Sequence, residues 1–166
     1  RIAVGGDSAG GALAAAVALA ARDRGGPAIA YQLLLYPVLD DRLRTKSVQE
    51  MVGVPMWDSP NTVLMWDHYL GPLTSRGEVS AYAAPMRAAD LPGGLAGLPP
   101  TYILACEFDP LRDEEIEYSA ALLAAGVSVE LHVVPGTFHG FENFPTQISK
   151  RATAEYCGAL RRAVGG

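Results

Sequence analysis

The chain has 166 residues, which is enough for one domain with a substantial hydrophobic core. Its residues are 49% hydrophobic and 19% charged, a balance typical of a globular protein and not of a disordered one. The net charge is −5 and no run of lysine and arginine occurs, so a nucleic-acid partner is not expected. The two cysteines, Cys106 and Cys157, argue against a disulfide framework or a metal cluster, and we expect both to be buried free thiols.

No stretch of the sequence is long enough to cross a bilayer as a helix. The most apolar segment, residues 10–21, is short and is followed by the charged residues 22–24, which indicates a buried helix. No signal peptide is visible, and we expect a cytoplasmic protein. Because the first residue already lies in a predicted strand, the true N-terminus is expected upstream of it, and a signal there stays open.

The first half of the chain alternates strand and helix signals. These signals predict a strand over residues 1–4, a helix over 10–24 that ends at Gly25-Gly26-Pro27, and a buried parallel strand over 29–38. Residues 41–84 form a mixed segment that carries both tryptophans, and within it Asp58-Ser59-Pro60 predicts the start of a helix that continues to residue 70. Residues 88–100, rich in proline, glycine and leucine, indicate a loop.

The second half continues the same alternation. It predicts a buried strand over residues 101–106, a helix over 111–125, an alternating strand over 127–133 that ends at Pro135-Gly136, and an amphipathic helix over 146–163. No repeat or linker divides the chain, so we expect one domain over residues 1–166. The order of elements predicts an α/β fold, with a mostly parallel sheet and helices on both of its faces.

The motif with the clearest chemistry is Gly6-Asp7-Ser8-Ala9-Gly10-Gly11, which lies between the first strand and the first helix. It contains G-x-S-x-G in the strand–turn–helix context of a nucleophile elbow. Ser8 is therefore the candidate nucleophile, and the backbone N–H of Ala9 at the helix start is a candidate oxyanion donor. We expect that side chains at positions 6 and 10 would collide with the neighbouring strand and helix, which would explain the glycines Gly6 and Gly10.

A serine nucleophile needs a base, and the base needs an acid that orients it. Asp109 directly follows the strand at 101–106, where the reacting groups of a parallel sheet collect, so it is the candidate acid. It also precedes Pro-Leu, as a residue that begins a helix would. The rival acids are Asp113, Glu114, Asp40 and Asp41.

His139 is the candidate base because it follows the last predicted strand in a loop between Gly136 and Gly140. The other two histidines suit the role less well, since His132 lies within a predicted strand and His68 within a predicted helix. The resulting chain order of serine, aspartate and histidine is the one expected for this type of elbow.

Together these motifs resemble the α/β-hydrolase fold, and more narrowly the hormone-sensitive lipase family, which includes the bacterial family IV carboxylesterases. The resemblance rests on residues 6–11, on Asp109-Pro110-Leu111-Arg112-Asp113-Glu114, on His139-Gly140-Phe141 and on Leu98-Pro99-Pro100. It implies that Ser8, Asp109 and His139 form a triad that hydrolyses carboxylic esters, often with short acyl chains, without a cofactor or a metal.

The resemblance also implies that residues 41–84 contribute to a cap over the site. Aromatic and sulfur-containing side chains of this segment are candidates for an apolar substrate pocket, or for ordinary core: Met56, Trp57, Trp66 and Tyr69. Two alternatives stay open. One is a different acyl-transfer activity, such as an amidase, a lactonase or a transacylase; the other is a non-catalytic receptor for a small ligand, against which the presence of His139 weighs.

The chain departs from the family in one respect: no His-Gly-Gly-Gly motif precedes Ser8, although such a motif normally supplies oxyanion donors. The 166 residues therefore resemble the C-terminal half of an enzyme of about twice that length, and we expect them to be weakly active or inactive by themselves. The strand at residues 1–4 would have an unpaired edge, which makes a homo-oligomer through that edge possible.

Overall fold

The computed structural model describes residues 1–72 and 77–165. Within these ranges the strands are β1 (Ile2–Asp7), β2 (Ile29–Leu35), β3 (Thr101–Phe108) and β4 (Val129–Phe138). The α-helices are α1 (Ala9–Asp23), α2 (Lys46–Glu50), α3 (Ser59–Leu70), α4 (Arg112–Ala124) and α5 (Gln147–Val164). Two short 3-10 helices cover Pro85–Asp90 and Phe141–Asn143.

The strands form one parallel sheet in the order β1-β2-β3-β4. Gly6 pairs with Leu34, Leu34 with Ile103, and Ile103 with Leu131, so the register runs straight across the sheet. Parallel pairing brings the carboxyl ends of all these strands to one edge, where the functional loops of open α/β sheets lie. The predicted fold class is confirmed.

Helices cover both faces of the sheet, as the sequence predicts. Neighbouring residues along a strand point to opposite faces. Ile103 accordingly packs with Leu19 of α1 and Leu122 of α4, whereas Tyr102 packs with Ala152 of α5. Each face of the sheet therefore has its own apolar cluster.

Helices α3 and α5 begin close to their predicted starts, and each has a side-chain cap. The carboxylate of Asp58 accepts a hydrogen bond from the backbone N–H of Asn61 at 3.2 Å, and the Thr146 hydroxyl accepts one from the N–H of Ser149 at 3.2 Å. Each bond satisfies an N–H group that has no partner within its own helix.

Three strands extend past their predicted ends, among them β3, which continues to Phe108 rather than ending at Cys106, whereas β2 ends at Leu35 rather than at residue 38. β1 continues through Asp7 rather than ending at Val4, and β4 continues through Pro135 to Phe138 rather than ending before it. The pairing of β3 with β4 shifts register between Cys106 and Phe108. This bulge, on a strand with one described neighbour, accommodates a proline that has no N–H to donate.

The segment after β2 contains α2, a helix that the sequence analysis did not predict. Two hydrogen bonds join this segment to α4. The Ser47 N–H of α2 donates to Asp113 at 2.8 Å, and the Leu39 N–H, before α2, donates to Glu114 at 2.6 Å. The predicted cap segment, 41–84, includes residues 73–76, which lie outside the described residues. Within the described ranges, no helix has the length and apolarity that a membrane crossing needs.

Candidate active site

Ser8 lies at the turn between β1 and α1 with φ 54° and ψ −122°, a conformation that residues other than glycine rarely adopt. Backbone hydrogen bonds hold the turn against the end of β2. The Ser8 N–H donates to the carbonyl of Leu35 at 2.9 Å, and the Ser8 carbonyl accepts from Val38 at 3.2 Å. The half-buried Ser8 side chain is therefore carried by a strained but well-supported backbone.

The three predicted catalytic residues meet at the carboxyl edge of the sheet. His139 Nε2 lies 2.9 Å from Ser8 Oγ, and His139 Nδ1 lies 2.7 Å from Asp109 Oδ2. Asp109 is fully buried, and its second oxygen accepts from the Leu111 N–H at 3.0 Å. Because a carboxylate can only accept, Nδ1 donates to Asp109 and Nε2 is left to accept from the serine hydroxyl.

His139 directly follows β4, because that strand continues to Phe138 and includes Gly136, which was predicted to lie in a loop. The histidines that were judged less suitable lie elsewhere, His132 within β4 beside Glu130 and His68 within α3.

Each rival acid has another partner. Asp113 and Glu114 bind backbone N–H groups of the segment that follows β2. Asp40 pairs with Arg42 at 2.6 Å, and Asp41 makes a two-pronged ion pair with Arg87 at 2.6 and 2.9 Å. Asp109 is thus the carboxylate in hydrogen-bond contact with the imidazole.

The glycines of the elbow differ in how much the fold needs them. A methyl group at Gly6 would lie 2.3 Å from the carbonyl oxygen of Gly10, and one at Gly11 would lie 2.8 Å from Pro37 Cβ. At Gly10, by contrast, the nearest atom would be Asp7 Oδ1 at 3.8 Å. The expectation for Gly6 is therefore correct, while the expected collision at Gly10 does not occur among the described residues and Gly11 is the second tight position.

Ala9, the predicted oxyanion donor, is the first residue of α1 and is exposed. The N–H of a first helical residue has no partner inside the helix, so it is free to bind an anion. Beside Ala9 an apolar cavity of about 230 Å³ opens, with Leu13, Val38, Trp66 and Tyr69 among its lining.

The candidate pocket residues separate into two groups. Trp66 and Tyr69 line the apolar cavity, although Trp66 is also almost fully buried in the core cluster with Val38. Met56 is 62% exposed and lies outside that lining. The ring of Trp57 lies 5.9 Å from that of His139 instead, centroid to centroid.

The sequence analysis missed Tyr36, whose ring centroid lies 4.6 Å from that of His139. The sequence places Tyr36 within the predicted strand 29–38, and only the end of β2 at Leu35 puts it at the edge where the reacting groups collect. The cysteines are free; Cys106 is buried as predicted, and burial raises the pKa of its thiol, while Cys157 is only partly buried. Within the described ranges, no group of three or more histidine, cysteine or acidic side chains could hold a metal ion.

Comparison with known proteins agrees with this architecture. A family model for the alpha/beta hydrolase fold matches residues 1–143, and the chain therefore belongs to that family. Its relatives are esterases, and the predicted resemblance to the hormone-sensitive lipase type is confirmed.

Three relatives give the scale of the similarity. The chain is 40% identical over 176 residues to the carboxylesterase NlhH of Mycobacterium tuberculosis, covering 99% of this chain and 51% of that protein. It is 42% identical over 168 residues to the esterase LipI of the same organism, covering 100% of this chain and 51% of LipI. A solved structure of a bacterial heroin esterase superposes with a TM-score of 0.91 at 51% identity, covering 99% of this chain and 52% of that one. The chain spans about half the length of the curated relatives it matches.

Proposed function

We propose that the protein is a serine carboxylesterase in which Ser8 is the nucleophile, His139 the base and Asp109 the acid. The observation that carries this proposal is the unbroken hydrogen-bonded series from Ser8 Oγ through the imidazole to the buried Asp109 carboxylate. Such a series lets a neutral hydroxyl lose its proton as it attacks.

In the proposed reaction, His139 Nε2 takes the Ser8 proton while Oγ bonds to the ester carbonyl carbon. The Ala9 N–H holds the oxygen that becomes negative. When the tetrahedral intermediate collapses, the carbon–oxygen bond to the alcohol breaks and His139 gives its proton to the leaving oxygen. Water then attacks the acyl-enzyme by the same proton transfers and releases the acid, while Asp109 keeps the imidazole oriented throughout.

The apolar cavity beside Ala9 supports an ester with a short apolar chain as the substrate. In the proposed site, Trp66 and Tyr69 contact that chain as part of a cap to which residues 41–84 contribute. The names of the relatives point the same way, since NlhH is a carboxylesterase and LipI an esterase.

We further propose that these 166 residues alone hydrolyse esters weakly or not at all. The family's His-Gly-Gly-Gly donors are absent from them, and loss of one oxyanion donor typically costs about 10²–10³ in turnover. Hydrolysis of a phenyl ester should be compared between this chain and the whole protein; equal rates would contradict this part of the proposal.

The nucleophile is tested by covalent labelling of the whole protein with a fluorophosphonate probe. We expect Ser8→Ala to abolish labelling, because the probe phosphonylates the activated hydroxyl. Ser128→Ala changes an exposed serine between α4 and β4 and should leave labelling intact. Persistent labelling of the Ser8→Ala protein would remove Ser8 from the role.

Other acyl-transfer reactions on the same triad stay open as alternatives, and paired ester and amide substrates with the same acyl group distinguish them. The receptor alternative predicts a different result: no covalent labelling of the whole protein, together with tight binding of a small apolar acid.

A further inference from the structure

Among the residues that directly follow the four described strands, Tyr36 is the one that the proposed mechanism leaves unused. Ser8, Asp109 and His139 follow β1, β3 and β4, and Tyr36 follows β2. Its side chain is only 3% exposed, and its ring lies 4.6 Å from the imidazole of His139 with an angle of 60° between the planes. At that distance the ring is in contact with the proposed base.

The Tyr36 hydroxyl donates a hydrogen bond to Oε1 of Glu142. Glu142 belongs to the 3-10 helix Phe141–Asn143, which begins two residues after His139. Burial and the neighbouring carboxylate raise the pKa of Tyr36, so the hydroxyl stays protonated and keeps its role as donor. The other Glu142 oxygen is buried and has no hydrogen-bond partner among the described residues, which makes the Tyr36 contact important for holding this carboxylate.

The backbone of Tyr36 is itself held in an unusual conformation. Its φ is 34°, which is strained for an aromatic residue, and its N–H donates to the carbonyl of Leu104 in β3 at 2.7 Å. The neighbouring strand therefore fixes the direction in which the side chain leaves the sheet. The ring thus reaches the imidazole from a residue whose backbone is bonded to the sheet directly after β2.

We propose that Tyr36, together with Glu142, is a positioning residue for His139. The Tyr36 ring limits rotation of the imidazole, and the hydrogen bond to Glu142 holds the turn that follows His139. Nε2 is thereby kept on Ser8 Oγ while the proton moves. This inference rests on the proposed triad, and its consequence is that the pair affects turnover and not substrate binding.

The kinetic test compares Tyr36→Leu, Tyr36→Phe and Glu142→Gln in the whole protein with a phenyl ester. We expect Tyr36→Leu to lower kcat by about 10²-fold with little change in KM, since a displacement of about 1 Å at a reacting group has an effect of that size. Tyr36→Phe keeps the ring and loses the hydrogen bond, so its loss should be smaller and should match that of Glu142→Gln.

The matched control is Tyr31→Leu. Tyr31 lies in β2, the strand that Tyr36 follows, belongs to the same apolar cluster, and is 8% exposed. The Tyr31→Leu variant loses the same side-chain atoms as Tyr36→Leu. It should lower the melting temperature without a selective loss of kcat. A kcat for Tyr36→Leu equal to that of the Tyr31→Leu control would overturn the proposal.

A second measurement does not depend on catalysis. The ring-proton NMR signals of His139 feel the ring current of Tyr36, so Tyr36→Leu should shift them and Tyr31→Leu should not. Unchanged His139 signals in Tyr36→Leu would overturn the proposal. If the unmodified protein hydrolyses no ester, the proposed function fails, and the NMR comparison then still tests whether the Tyr36 ring contacts the imidazole, on which the positioning role depends.

Discussion

Ser8 illustrates how a single residue at this site depends on its neighbours. Its positive φ is costly for a residue with a side chain, by roughly 1–3 kcal/mol. The conformation persists because the Ser8 N–H and carbonyl bond to Leu35 and Val38, on either side of Tyr36. The turn also requires glycine at position 6, since any side chain there would collide with the first turn of α1.

The roles of Asp109 and Asp113 can be distinguished by replacing each with asparagine and comparing kcat. Asp109→Asn presents an amide that can donate to His139 Nδ1, which favours the wrong imidazole tautomer, and we expect kcat of the whole protein to fall by about 10⁴-fold. Asp113→Asn still offers an oxygen to the Ser47 N–H and should leave kcat close to its original value. Ester hydrolysis measures both, and equal losses in the two variants would argue that Asp109 has no special role.

Among the elements, α4 carries two buried acidic residues close to Asp109. It begins just after Asp109, and its first turn buries Glu114 and Glu115 almost completely. Glu114 accepts from the Leu39 N–H, whereas neither Glu115 oxygen has a hydrogen-bond partner among the described residues. Burial, reinforced by the nearby Asp109 charge, raises the pKa of Glu115 well above its usual value.

This burial predicts a pH-dependent stability. The folded protein keeps a proton on Glu115 that the unfolded chain releases above about its ordinary pKa of 4.5, so this group's contribution to the free energy of unfolding falls as pH rises from there. Glu115→Gln cannot titrate and should be stabilised relative to the unmodified protein more at about pH 8 than at about pH 5. Urea unfolding at the two pH values measures the difference.

Glu117→Gln is the matched control for that experiment, because Glu117 is exposed on the same helix. It should leave the pH dependence of unfolding unchanged. An identical pH dependence of unfolding in Glu115→Gln and in the unmodified protein would contradict the raised pKa of Glu115 in the folded state.

For the whole molecule, β1 is an edge of the described sheet, and Ile2 on it is 49% exposed. A partly apolar strand with free N–H and carbonyl groups on one side is a surface to which another strand can pair. We propose that a second copy of the chain can add a strand at this edge.

We therefore predict that the 166-residue chain associates with itself in a concentration-dependent manner, as measured by sedimentation velocity. Ile2→Lys puts a charge on the β1 edge and should shift the chain towards monomer. Val133→Lys makes the same kind of change on β4, the other edge strand, at a residue that is 40% exposed, and should have no such effect. A chain that is monomeric at every concentration would contradict the prediction.

The sequence by itself determined the order of the strands and of the longer helices, the parallel α/β class and the elbow at Ser8. These features follow from local patterns: apolar runs, a helix start at Asp58-Ser59-Pro60, and glycines at a sharp turn. The prediction erred where long-range pairing overrides a local signal. Pro135 looked like the end of a strand, yet β4 continues past it because a bulge against β3 accommodates it.

Only the tertiary structure decided which side chains meet. The choice of Asp109 over Asp113 as the carboxylate that contacts His139, and the contact of Tyr36 with the same imidazole, depend on the register of strands that are far apart in the chain. The same holds for the separation of Trp57, beside His139, from Trp66 in the apolar cavity. Parallel strands bring distant loops to one edge of the sheet, and no local pattern encodes how the side chains of those loops then face one another.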